Sequence, residues 1–173
     1  MSETEFERRK REPRYWRSRA EKLFVSARVL WVAMGDDPRR YGLRSGFDVS
    51  HCWPVFTMLC GLALELLLKA IAVAKGQDPK PHHDSDGLAT DVGVRLTDQQ
   101  KELLKVYAAK VRWDGRYPVP KKAEDYANLA ELERRVLFDE APSGWRRPNN
   151  RLGWDSFEGL WNRVLADYED AAR

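Results

Sequence analysis

Two charged residues interrupt the most apolar stretch of the chain and are the first candidates for chemistry. Glu65 and Lys69 lie four residues apart within residues 55–74, which are otherwise almost entirely apolar. On an α-helix this spacing places both side chains on one narrow strip together with Gly61. The strip has two interpretations. It is either a solvent-facing ion pair that contributes about 0.3–0.5 kcal/mol, or a polar site in which Gly61 leaves room for a ligand or a neighbouring backbone.

The same stretch is long enough to cross a membrane, but its two charges argue against that role. Each charge costs about 2.5–3 kcal/mol at the centre of a bilayer, whereas each large aliphatic residue recovers roughly 0.5 kcal/mol. We therefore predict a buried helix of a soluble bundle. The first thirty residues lack the apolar segment of a secretory signal, and Cys52 and Cys60 are too far apart on one helix to pair. A cytoplasmic protein that does not enter the membrane is expected.

Composition predicts one compact domain. The 173 residues are 43% hydrophobic and include seven tryptophans, which suffice for a core, and the net charge of +3 does not by itself select a partner. Residues 1–14 are highly charged and are expected to form a frayed tail, followed by a single domain over residues 15–173. Trp16, Trp145 and Trp154 fall at the edges of predicted elements, where a second subunit would cover them.

Helical periodicity recurs in five segments, and no segment alternates with the period of a β-strand. The five predicted helices cover residues 15–34, residues 52–75, the segment between a Thr97 capping box and residue 113, residues 121–139, and a C-terminal segment capped by Asp155 and Glu158. Gly76 is expected to end the second helix in a left-handed conformation, and a short helical turn is expected near residues 87–92. The sequence predicts an all-α bundle of about five helices.

Three short motifs follow one another in an order that is typical of a known family. They are A-x-E-L-x-L-K-A over Ala63–Ala70, a histidine and an aspartate at His83 and Asp84, and the tripeptide Arg116-Tyr117-Pro118 after the next helix. This pattern, spread over residues 60–120, resembles bacterial members of the HEPN (higher eukaryotes and prokaryotes nucleotide-binding) domain family. The resemblance implies a HEPN-like helical bundle.

The resemblance also implies a ligand-binding cluster and a biological setting. The cluster would consist of Glu65, Lys69, His83, Arg116 and Tyr117. Lys69 and Arg116 suit phosphate, and Tyr117 suits stacking. The implied function is a nucleotide- or RNA-interacting module of a bacterial stress, phage-defence or toxin–antitoxin system, without catalysis or a cofactor of its own. Implied partners are a second copy in a homodimer and a nucleotidyltransferase-type protein. A purely structural interpretation, in which Arg116 pairs with Glu65 and pins a loop, stays open.

A nuclease is the alternative function. Family nucleases use an arginine followed, after four to six residues, by a histidine, and Arg44 and His51 match this spacing. The arginine would stabilise developing phosphate charge and the histidine would transfer the proton, giving a metal-independent endoribonuclease. With 20 arginines in the chain such a match is frequent by chance, and no histidine follows His83 where the family motif usually lies.

The remaining patterns favour no other chemistry. His82, His83, Asp84 and Asp86 include metal-ligand types, but no second pair of ligands accompanies them, so no metal site is predicted. The third function that stays open is a helical protein-interaction domain without a ligand.

Overall fold

A computed structural model describes residues 4–44, 48–114, 122–142 and 144–173. In these ranges the chain forms seven α-helices and one small antiparallel sheet of two strands, so the predicted all-α class is confirmed. The helices are α1 Glu5–Lys10, α2 Pro13–Met34, α3 Trp53–Ala74, α4 Ser85–Asp91, α5 Asp98–Ala109, α6 Ala123–Val136 and α7 Trp154–Ala171. The strands are β1 Phe138–Glu140 and β2 Arg146–Pro148, and a π-helical turn over Lys110–Asp114 extends α5.

Helix α3 is the centre of the fold. Fourteen of its 22 residues are buried, and α2, α4, α5 and α7 all pack against it. With the turn before it, α3 is the one segment of the described residues that is long and apolar enough to span a membrane, yet 72% of its most apolar window is buried inside the protein. This burial is expected for the core helix of a soluble bundle. Cys52 and Cys60 are free, and burial raises the pKa of the Cys60 thiol.

Local signals in the sequence set the ends of two helices as predicted. Gly76 has a φ of 71°, and the N–H groups of Gly76 and Gln77 donate to the carbonyls of Val73 and Ala72 at the end of α3. This is the Schellman arrangement that favours glycine. At the start of α5, Thr97 accepts from the N–H of Gln100 at 3.2 Å, while the Gln100 side chain accepts from the N–H of Thr97 at 3.0 Å. The predicted capping box is confirmed.

Aromatic contacts hold α2 against α7. The Phe24 ring lies 5.1 Å from the Trp154 ring and 4.8 Å from the Trp161 ring, measured between centroids. Trp154 is buried by these contacts, so the expectation that a partner covers it is wrong. Trp145 is exposed and Trp16 is half-buried.

Several elements differ from their predicted form. Residues 5–10 are helical rather than frayed, because Thr4 caps α1 and Glu5 pairs with Arg8 and Arg9. The short helical turn expected near residues 87–92 is α4, which starts two residues earlier. Helix α7 begins at Trp154 after Gly153 and has no side-chain cap, so the predicted capping by Asp155 and Glu158 is wrong.

The helix predicted over residues 121–139 ends at Val136, where the chain turns into a hairpin. Two side chains that follow β2 donate hydrogen bonds to the carbonyl oxygen at the end of α6. Asn149 Nδ2 and Arg151 Nη1 each donate to Val136 O at 3.1 Å. Both side chains also reach Asp139 Oδ1 at 3.1 Å. These contacts stop the helix and favour the strand that follows.

Candidate functional site

Glu65 lies at the centre of a polar cluster inside the bundle. Lys69 Nζ donates to Glu65 Oε1 at 2.7 Å, and His83 Nδ1 lies 2.8 Å from Glu65 Oε2, with the carboxylate as acceptor. Glu65 is 2% exposed and Lys69 is 7% exposed. The solvent-facing interpretation of this strip is therefore wrong, because both charges are removed from water. The His83 side chain is partly exposed and forms the outer side of the cluster.

Two helices fix the cluster. Glu65 and Lys69 are one turn apart on α3, so the central helix sets both of them. His83 comes directly before Asp84, whose side chain accepts from the N–H of Gly87 at 3.1 Å and caps α4. Because α4 packs against α3, this cap holds the His83 backbone beside Glu65, 18 residues back along the chain.

The space beside Gly61, the third member of the strip, is filled by neighbouring protein atoms. A Cβ atom at this position would lie 2.6 Å from Val111 Cγ2 and 2.7 Å from the carbonyl oxygen of Tyr107. Both distances are far below normal contact. The sequence allows Gly61 to make room either for a ligand or for a neighbouring backbone. In the structure it makes room for a neighbouring backbone.

An open cavity of about 610 Å³ adjoins the cluster on the Lys69 side. It lies between α1, the start of α2 and the turn after α3. Its wall combines aromatic and cationic side chains with two prolines, and the residues are Glu5, Phe6, Arg9, Lys10, Tyr15, Trp16, Lys69, Pro79, Lys80 and Pro81. The size and the mixture of an apolar wall with a few charges are typical of small-ligand sites.

Helix α1 forms one wall of the cavity and is tied to the rest of the chain at two points. Trp16 Nε1 donates to the carbonyl of Lys10 at 2.9 Å, and Lys10 Nζ lies 3.4 Å from Asp78 Oδ1. The guanidinium of Arg9 lies over the Tyr15 ring, 5.4 Å from its centroid. These contacts place the aromatic rings and the cations side by side.

The cavity lies at the basic end of the molecule. Residues 5–22, which include α1 and the start of α2, contain eight lysines and arginines and four glutamates, a charge of +4, although the whole chain carries only +3. Hydrogen bonds from Arg9 and Arg8 lower the pKa of the Glu5 carboxyl at the cavity rim. Lys80 pairs with Asp91. The surplus of positive charge remains, and it attracts anions to this end.

Three of the five residues predicted as a ligand-binding cluster come together, since Lys69 and His83 both contact Glu65. Arg116 and Tyr117 lie outside the described residues, so their place relative to this cluster stays a prediction. No group of three or more metal-ligating side chains gathers within the described ranges.

Arg44 and His51, the residues of the alternative nuclease site, do not form a site together among the described residues. His51 caps its own 3₁₀ turn: the N–H of Asp48 points at His51 Nδ1 at 3.3 Å, while Asp48 Oδ1 accepts from the N–H of Ser50. Arg44 is exposed, and no hydrogen bond joins it to His51 among the residues that the structure describes.

Sequence reasoning missed the aromatic and proline side chains of the cavity wall. Their signal was present, since Phe6, Tyr15 and Trp16 alternate with the basic residues of the N-terminal segment. The high charge of residues 1–14 instead predicts a frayed tail, and a frayed tail does not form the wall of a site.

No family model, no curated protein and no solved structure matches this chain. The resemblance to HEPN domains therefore rests on the sequence motifs alone.

Proposed function

We propose that this chain is a HEPN-like nucleotide- or RNA-interacting module whose ligand binds in the cavity beside Lys69. The observation that carries the proposal is the composition of the cavity wall, where Phe6, Tyr15 and Trp16 lie among Arg9, Lys10 and Lys80. Bases stack on aromatic rings, and phosphates pair with lysine and arginine. A wall that offers both kinds of group in about 610 Å³ suits a nucleotide or one segment of a single strand.

Lys69 connects the cavity to the buried cluster. Its ammonium group has three N–H donors, and one of them is directed to Glu65 Oε1. Glu65 in turn lies against His83, which fixes the carboxylate from its other side. In this proposal Glu65 and His83 act as positioning residues that hold Lys69 at the cavity wall, and Lys69 contacts the anionic part of the ligand.

The proposed role is binding rather than cleavage. The Nδ1 atom of His51 is engaged in the cap with Asp48, and no described contact links the ring to Arg44. The bacterial stress or defence setting, the cytoplasmic location and a nucleotidyltransferase-type partner belong to the same proposal and are supported by the family resemblance alone.

Two matched aromatic variants test the site. Phe6 is 71% exposed on α1 at the cavity, and Trp145 is 78% exposed on the hairpin. Neither side chain supports the core, so the alanine variants should remain folded. Fluorescence anisotropy with a short labelled single-stranded RNA, and calorimetric titration with ATP, would measure affinity. We expect Phe6→Ala to weaken binding roughly 5- to 150-fold, the value of one stacked base, and Trp145→Ala to leave it unchanged.

The outcomes separate the hypotheses. Loss of binding in Trp145→Ala with retention in Phe6→Ala would move the site to the hairpin. No binding of RNA or ATP by the parent protein would refute the proposal and leave the protein-interaction domain. Cleavage of the RNA by the parent but not by His51→Ala would instead establish the endoribonuclease.

A further inference from the structure

A second cavity, of about 360 Å³, borders the cavity beside Lys69. Its wall is formed by Lys10 and Arg11 on one side and by Val73 and residues 76–79 on the other, so the two cavities share Lys10 and Pro79. Among the described residues, the wall of the second cavity contains no aromatic side chain, in contrast to the first. A basic wall without aromatic rings suits the phosphate and ribose of a nucleic acid strand rather than a base.

An ion pair lies at the boundary between the two cavities. Lys10 Nζ is 3.4 Å from Asp78 Oδ1, and the two side chains are 40% and 83% exposed. Lys10 contributes to both walls, whereas Asp78 contributes to the second wall and not to the first. Because an ion pair with this exposure is weak, another anion can replace Asp78 beside Lys10 at little cost in free energy.

We propose that the second cavity binds the next phosphate and ribose of an RNA strand whose base is stacked in the first cavity, and that Asp78 occupies Lys10 until this phosphate replaces it. This role rests on the proposed function, and it makes the ligand a strand of two or more nucleotides rather than a mononucleotide. A phosphodiester carries one negative charge, as the Asp78 carboxylate does, so it can take the same place beside Lys10. Asp78 is thus an internal competitor that weakens RNA binding.

The two partners of this ion pair are held with different firmness. Asp78 lies in a turn that is stiffened on both sides, because Gly76 has a left-handed conformation and Pro79 restricts the backbone of the residue before it. Lys10 is the last residue of α1, a helix with no buried residue. The exchange of partners therefore occurs by movement of the Lys10 side chain or of α1, while Asp78 keeps its place.

The charge of the two walls favours the exchange. Together they contain two acids, Glu5 and Asp78, and five cationic side chains, a surplus of three positive charges; the cations are Arg9, Lys10, Arg11, Lys69 and Lys80. Glu5 is paired within α1, with Arg8 and Arg9. Asp78 is the acid that joins α1 to the turn, so its displacement leaves a basic path from one cavity to the other.

A double-mutant cycle tests the competition. Fluorescence anisotropy would give the affinity of a labelled RNA tetranucleotide for the parent protein, for Asp78→Asn, for Lys10→Gln and for the double variant. Asp78→Asn should tighten binding about 1.5- to 5-fold, the fold-change that corresponds to one exposed ion pair, and Lys10→Gln should weaken it. In the Lys10→Gln background, Asp78→Asn should have no effect, because no lysine remains to be released. An equal gain in both backgrounds would overturn the competition.

Asp98→Asn is the matched control for the change in charge. Asp98 lies at the start of α5, outside both cavity walls, and its side chain is 100% exposed in a pair with Lys101. The variant removes the same charge as Asp78→Asn and should leave RNA affinity unchanged at physiological salt, where exposed charges are screened. The same gain in both variants would show a general charge effect and would refute the role of Asp78.

Ligand length separates the role of the second cavity from the proposed function. The tetranucleotide should bind the parent protein roughly tenfold or more tightly than AMP, as expected for an added charge-assisted contact. Binding of both with equal affinity would overturn the role of the second cavity and leave the proposed function in place. Binding of neither would refute the proposed function and the second cavity with it.

Discussion

The buried ion pair of Glu65 and Lys69 determines which substitutions the core of this protein tolerates. Both side chains are at most 9% exposed, so the pair is desolvated and its Coulombic gain is offset by the cost of removing two charges from water. Such a pair adds little net stability compared with apolar side chains of similar size. Removing one partner, however, leaves a buried charge without compensation.

Lys69→Ala should therefore destabilise the fold by about 3–5 kcal/mol, because among the described residues His83 is then the one partner that Glu65 keeps. The double variant Glu65→Leu/Lys69→Met should recover most of that loss. Urea unfolding measured by circular dichroism gives both values. Lys101→Ala is the control, since it removes an exposed pair with Asp98 and should change stability little. Equal losses in the single and the double variant would show that the charges are not coupled.

At the scale of elements, the contact between α3 and the end of α5 depends on one glycine. Gly61 lets the Tyr107 carbonyl and the Val111 side chain approach α3 more closely than any side chain would permit. Gly159 in α7 is a useful contrast, because an added Cβ there meets nothing within 4 Å. The two glycines are both helical, but only one of them is required by packing.

Gly61→Ala and Gly159→Ala should consequently change stability in opposite directions. The first forces α5 away from α3 and should cost about 1–3 kcal/mol, as overpacked core positions do. The second removes a flexible residue from a helix interior and should gain roughly 0.5–1 kcal/mol. Thermal unfolding of the two variants beside the parent protein shows directly whether each variant is more or less stable. A stabilised Gly61→Ala protein would show that the helices can separate without loss.

For the molecule as a whole, stability should decrease from the centre outward. The middle of α3 is enclosed by four other helices, whereas α1 contains no buried residue. Opening of α1 exposes little apolar surface and therefore costs little free energy. Exposing the α3 backbone requires the whole bundle to unfold.

Hydrogen exchange followed by mass spectrometry should show this gradient. Peptides from residues 60–71 are expected to exchange only through global unfolding, and those from residues 5–10 much faster. Adding RNA or ATP should slow exchange in residues 5–10 if the ligand occupies the cavity beside α1. Protection of α1 equal to that of α3 in the free protein would contradict the gradient and would mean that α1 is part of the core.

The helices themselves were predictable from the sequence because the signals are local. A capping box needs Thr97 and Gln100, three residues apart, and a left-handed helix end needs Gly76. The nearly continuous apolar run of α3 likewise predicted burial of the helix. The hairpin was missed because strands of three residues are too short to show a period, and the contacts that favour it come from Asn149 and Arg151.

The site was only half determined by the sequence. Its residue types and the spacing of Glu65 and Lys69 are fixed by the chain, but a spacing of four is the same for an exposed pair and a buried one. The tertiary structure decided that the pair is buried, that His83 meets it, and that α1 folds back to the turn at Pro79 and Pro81. These contacts join residues that are between 18 and more than 70 positions apart in the sequence. Contacts over such separations depend on how whole helices pack rather than on any pattern along the chain.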